Sequence, residues 1–149
     1  FTGLLAGANV DRYVVQLPSW HSVSILNWAT YRRHADLGNG LFLYPLEAIG
    51  RFLLLFTALV IILFHKSLFK QVALPAHLAV IFAAIGLIFT FFAAPVMLSI
   101  RTIGNNEILL QNAFDKFQFW GLLRAIAQLL SFLACVWAFT RNFFNARDI

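Results

Sequence analysis

The chain has 149 residues, 61% of them hydrophobic and 11% charged, with a mean hydropathy of +0.80. That mix excludes an ordinary soluble domain and points to a chain that lives in lipid. The net charge of +5 comes from basic residues scattered among apolar runs, with no Lys/Arg tract interleaved with aromatics; this excludes nucleic acid as the partner and reads instead as topology and helix pairing.

A hydrocarbon layer about 30 Å thick takes about 20 apolar residues per helical crossing, which leaves room for four crossings in one domain spanning residues 1–149. The expected architecture is therefore an all-α, integral membrane four-helix bundle, with helices over about 1–17, 41–64, 76–98 and 117–139. The first ends at Pro18 and carries Gly3 and Gly7 at a small-xxx-small spacing that lets helices approach closely. Phe1 to Ala8 is only half a crossing, so the natural chain is expected to begin upstream. Asn9, Arg12 and Gln16 share one face of this helix.

Residues 18–40 form the first long connection. Trp20, Val23, Leu26 and Tyr31 recur at helical spacing, which predicts a short membrane-surface helix with Trp20 and Trp28 in the interfacial belt, stopped by Gly38-Asn39-Gly40. In the second helix Glu47 and Arg51 are spaced i,i+4 with the acid first, the favourable order for an ion pair. Only Phe52 to Phe64 follow without charge, about 20 Å of helix. Both charges thus fall below the interface, where they need each other or a wet, inward-facing cavity.

The segment 65–71, HKSLFKQ, is expected as a tight turn. The third helix then runs from about Ala76 to Leu98, with Pro75 just before it, Pro95 near its end and a stripe of Ala79, Ala83, Gly86 and Thr90 suited to close packing. A second long connection, 99–116, carries Arg101 and the pair Asn105-Asn106 after Gly104, residues typical of a turn or helix cap. Phe117, Trp120, Arg124, Gln128 and Ser131 then form one polar-aromatic stripe on the fourth helix. Arg124 has about 24 Å of uncharged helix beyond it, short enough for snorkelling as well as for an inward position. Cys135 is the lone cysteine, in an apolar run, and reads as a structural thiol.

Two crossings separate the long connections, so both lie at one end of the bundle. Asp11, Asp36, Glu47, Glu107 and Asp115 gather there with Arg12, Arg32, Arg33, Arg51, Arg101, Lys116 and Arg124, while Asp148 lies at the other end. The positive-inside rule does not choose a side, because Lys66, Lys70, Arg141 and Arg147 balance Arg32, Arg33, Arg101 and Lys116. The charge asymmetry predicts a half-membrane pocket walled by Arg12, Glu47, Arg51 and Arg124 and lidded by His34, Asp36, Arg101, Asn105 and Asn106. His34 is the best-placed group for proton transfer near neutral pH. His21, His34, Asp36 and Glu47 offer N and O donors, but no HExxH or paired Cys/His spacing marks a metal site, and no phosphate cradle, nucleophile elbow or CxxC is present.

The stretches RHADLGNGLFLYPLEAIGR, RTIGNNEI and WGLLR, with AG and DR near the first helix and PSW after it, resemble the anthrone-oxygenase-like family of small four-helix membrane proteins, and most closely a bacterial branch of it. That resemblance implies a multi-pass protein of the bacterial inner membrane, with His34, Asp36, Asn105, Asn106, Trp120 and Arg124 as its characteristic polar and aromatic residues. It implies an oxidoreductase without a cofactor: an oxygenase of a lipid-soluble phenolic, anthrone or quinol-like substrate. His34 or Glu47 would act as base, Arg51, Arg101 or Arg124 would stabilise the resulting anion, and Trp20, Tyr44 and Trp120 would hold the ring. The alternative is a non-catalytic accessory subunit of a larger membrane complex, or a quinone- or lipid-binding protein. Membrane lipids, a hydrophobic small molecule or quinone, and other membrane subunits are the expected partners. A transporter fits poorly, because the polar groups crowd one end and no charged residue continues the path through Leu53 to Phe64.

Overall fold

In the computed structural model the described residues are 2–145, without the side chains of 66–71 and 142–145. Among them all regular structure is helical: α1 (Thr2–Asp11), a π-helical turn (Arg12–Gln16), α2 (Leu17–His21), α3 (Ile25–His34), a second π turn (Ala35–Asn39), α4 (Gly40–Phe64), α5 (Lys66–Ile103) and α6 (Glu107–Asn145). Three stretches are long and apolar enough to cross a membrane: Ile25–Phe64, Val72–Ile103 and Glu107–Arg141.

The helices run further than the sequence suggests. Pro18 does not end the first one; it sits at the start of α2, immediately after a turn in which the Leu17 N–H bonds back to the Arg12 carbonyl. A proline supplies no N–H and crowds the carbonyl four residues earlier, and the wider π turn ahead of it relieves both problems. Pro45 lies inside α4 and Pro75 and Pro95 inside α5, where apolar surroundings leave the backbone no other hydrogen-bonding partners. The expected turn at 65–71 shrinks accordingly to His65, whose φ of −103° and ψ of 93° break the helix, and α5 begins at Lys66. The stop at Gly38-Asn39-Gly40 is present as a kink: Gly38 leaves helical geometry at φ −88°, ψ −119° within the second π turn, and α4 starts at Gly40.

α5 and α6 form the central antiparallel pair; α4 leans on α5 and α1 on α6. The small-residue stripe of α5 makes this contact. Ala79 and Ala83 are buried, and the Ser131 hydroxyl of α6 donates to the Ala79 carbonyl at 2.9 Å. On α1, Ala6 and Asn9 are buried; a Cβ on Gly3 would approach the Phe132 ring to 3.2 Å, whereas Gly7 faces open space.

The two long connections meet at one end, as expected. Arg33 donates to the carbonyls of Ile100 and Gly104 and to Asn105, and Arg101 donates to the Leu37 carbonyl at 2.8 Å. The main buried cluster lies here, formed by Trp28, Leu37, Met97, Ile100, Leu110 and Phe114 among others. Trp28 therefore corrects the interfacial-belt reading: it is 1% exposed and packs edge-on against Phe114 at 4.9 Å between centroids. Trp20 is half-buried. The helix predicted across this region breaks at 22–24 and restarts at Ile25, where Ser24 caps α3 by accepting from the Asn27 N–H, a favoured use of serine.

Candidate functional site

At the charged end a cavity of about 410 Å³ opens between the helices, within the size range of small-molecule pockets. α1 and the π turn after it supply Leu5, Asn9, Asp11, Arg12 and Gln16 to one wall; the second π turn and α4 supply Asp36, Gly40, Tyr44, Glu47 and Ala48 to the other. Thr90, Ala93 and Met97 of α5, with Phe117, Arg124 and Gln128 of α6, form the floor. α1 and α4 make little or no direct contact, so the cavity is open sideways between them.

Its polar groups are held in a network. Asp36 accepts from Arg32 Nη1 at 3.0 Å and from the Tyr44 hydroxyl at 3.3 Å. Arg32 and Asp36 are both buried and form the one side-chain ion pair among the described residues. Rings of Trp20, Tyr31 and Phe117 lie within 6 Å of the Arg32 guanidinium, a favourable environment for a desolvated cation. Arg12 sits 5.9 Å from the Tyr44 ring centre. Asn9 bridges α1 to α6, donating to Leu5 O at 2.7 Å and to Gln128 Oε1. Arg124 lines the cavity with a buried Nε that has no protein partner. Glu47 faces the same space from α4, half-buried and outside any ion pair among the described residues.

Arg12, Asp36, Glu47 and Arg124 thus line one cavity, as the sequence suggests; Arg51, His34, Arg101, Asn105, Asn106 and Trp120 do not. Arg51 does not pair with Glu47. It is 2% exposed and turns toward α5, where a Cβ on Gly86 would stand 3.4 Å from its Nη2. The missing side chain at Gly86 leaves room for the guanidinium, while Glu47, one turn earlier, points at the gap beside α1. His34 is exposed and outside the lining. Arg101 and Asn105 tie the two connections together, and Asn106 caps α6 by accepting from the Leu109 N–H at 3.1 Å. Trp120 stacks on Phe92 at 4.9 Å, away from the cavity.

Arg32 is the contributor the sequence reading passed over. Its signal was legible, because Arg32 and Asp36 repeat the i,i+4 spacing of Glu47 and Arg51. Tyr13, which donates to the Gln118 carbonyl at 3.2 Å, carries no such signal, since its partner is a backbone group in a distant helix. Among the described residues no three of His, Cys, Asp or Glu gather as a metal-ligand set. The chain matches no protein-family model, no curated protein and no solved structure, so a functional reading stands on the cavity and on the motifs themselves.

Proposed function

We propose that this is a four-crossing integral membrane protein that draws a lipid-soluble phenolic, anthrone or quinol-like molecule into the cavity between α1 and α4 and oxygenates it without a cofactor. The carrying observation is one largely apolar cavity lined both by an acid outside any ion pair among the described residues, Glu47, and by the buried cation Arg124. Thr2 to His21 supply the fourth crossing, about 30 Å of helix. Large apolar side chains such as Phe42, Leu46, Phe64, Phe91 and Phe139 point outward, and a surface of that kind belongs in lipid or against other subunits. The sideways opening faces the lipid, where such a substrate dissolves.

For an anthrone the step is balanced as follows. Glu47 takes a ring-methylene proton, leaving a delocalised phenolate whose oxygen is stabilised by Arg124 and Arg12. The anion reduces dioxygen and bonds to it; with its proton returned, the resulting hydroperoxide loses water to give the quinone. One anthrone and one dioxygen thus yield one quinone and one water. In this arrangement Glu47 replaces His34 as the base, because His34 lies outside the cavity.

Oxygen uptake by the purified protein with anthrone and quinol substrates tests the proposal. Glu47→Gln is expected to lower turnover at least 100-fold, in line with the usual weight of a general base, and His34→Ala to leave it within twofold. Absence of uptake across both substrate classes overturns the oxygenase; co-purification with a stoichiometric large membrane partner would then assign an accessory role.

A further inference from the structure

A second, smaller cavity of about 20 Å³ lies behind the first, between the π turn after α1, α2, α3 and α6. It has room for a single small guest, since one water-sized sphere needs about 10–15 Å³. Three residues of its lining carry buried N–H groups with no partner among the described residues: Trp20 Nε1, Arg32 Nε and Gln118 Nε2. Arg32 is 3% exposed, and its carboxylate partner Asp36 is engaged at Nη1, leaving Nε free. Arg12 adds a second guanidinium to the lining and has no ion-pair partner among the described residues.

We infer that this cavity is a binding site for a single monatomic anion of halide size. A water molecule accepts two hydrogen bonds and has two of its own to donate, so it leaves one of the three N–H groups bare; each buried donor left so costs about 1–3 kcal/mol. An anion accepts all three. Two guanidiniums face the cavity and one buried carboxylate compensates them, so a negative guest also balances the charge. Trp28 and Phe114 complete the lining, and a volume of about 20 Å³ leaves no room for a larger, hydrated oxyanion. Arg12 and Phe117 line both cavities; the bound anion therefore fixes a charge that the larger cavity uses. The inference is independent of whether the larger cavity oxygenates anything.

The test is thermal unfolding of the purified full chain in detergent at constant ionic strength, in chloride, bromide or gluconate. Tm is expected to rise saturably with chloride and bromide and to stay flat in gluconate, which is too large to enter. Gln118→Met removes one donor at nearly constant volume and Trp20→Phe removes another from a smaller ring, and each should weaken the apparent halide affinity at least tenfold. A wild-type Tm identical in the three salts means that a water fills the cavity and overturns the inference, as does unchanged affinity in both variants. Should the variants fail to fold, bromide quenching of wild-type tryptophan emission decides: saturable quenching supports the site, and purely linear quenching overturns it.

Discussion

At the residue scale the cavity contrasts two i,i+4 charge pairs with different fates. Arg32 and Asp36 meet because both are buried, the Arg32 guanidinium among the rings of Trp20, Tyr31 and Phe117, and neither tolerates being alone there. Asp36→Asn should therefore lower stability by about 3–5 kcal/mol, the usual effect of stranding one member of a buried pair. Glu47→Gln, which breaks no ion pair, should change stability by less than about 1 kcal/mol. Equal losses in denaturant or thermal unfolding of the two variants would contradict the assignment of the paired carboxylate. Arg51 poses a different problem, since its Nε and Nη1 are buried without protein partners. Its guanidinium is accommodated by the space at Gly86. Gly86→Ala should be neutral or slightly stabilising, because the added methyl makes ordinary contact at 3.4 Å or more and alanine is the better helix former by about 1 kcal/mol. Gly86→Leu should destabilise by about 1–3 kcal/mol through overpacking; indifference of Tm to the leucine would show that Arg51 does not need that space.

At the element scale the joint between α5 and α6 depends on Gly104, the one residue with positive φ among those described, at φ 65° and ψ −135°. A side chain there is strained whatever the surrounding space, so Gly104→Ala should cost about 1–3 kcal/mol. It should also loosen the Arg33 contacts to Gly104 and Asn105, seen as faster amide exchange in α3. Unchanged Tm and exchange would remove this joint from the account of the fold. Much of this level was legible beforehand. Apolar run length and the glycine breakers placed α4 within a residue, and two crossings between the polar connections put both at one end. What escaped was how far helices persist through Pro18 and Pro75, because a proline's effect depends on whether the freed carbonyl has another partner, and that is a property of the packed environment. Trp28 escaped for a related reason: periodicity places a tryptophan on a face, but whether that face meets a headgroup layer or Phe114 is decided by a helix some 80 residues away. Of the site, charge spacing revealed Asp36, Glu47 and Arg124. That Arg51 settles beside Gly86 while Glu47 lines the cavity was not legible, because Gly86 lies in another helix.

At the scale of the whole molecule, one gap and one asymmetry organise the functional reading. The gap between α1 and α4 is lined by Ala8, Ala48 and Ala94, small residues that keep it open. Ala94→Trp, at an exposed position, should narrow the cavity and weaken binding of an aromatic ligand at least tenfold while leaving Tm within a few degrees. Undiminished affinity would move the ligand elsewhere. The asymmetry concerns sidedness. Because Arg33 and Arg101 tie α3 and the second π turn to the α5–α6 joint, Val23 and Glu107 must lie on one side of the proposed membrane, with His65 on the other. In a Cys135→Ser background, cysteines at Val23 and Glu107 should react together with an impermeant maleimide applied to sealed vesicles of one orientation. The same reagent should reach a cysteine at His65 only when the orientation is reversed or the vesicles are opened. The reagent has to cross about 30 Å of hydrocarbon to reach the wrong side, so the contrast should be close to all or none. Labelling of His65 and Glu107 from the same side would rule out α5 as a crossing; labelling of Val23 and Glu107 from opposite sides would separate the two connections and rule out the cavity as a lipid-facing site.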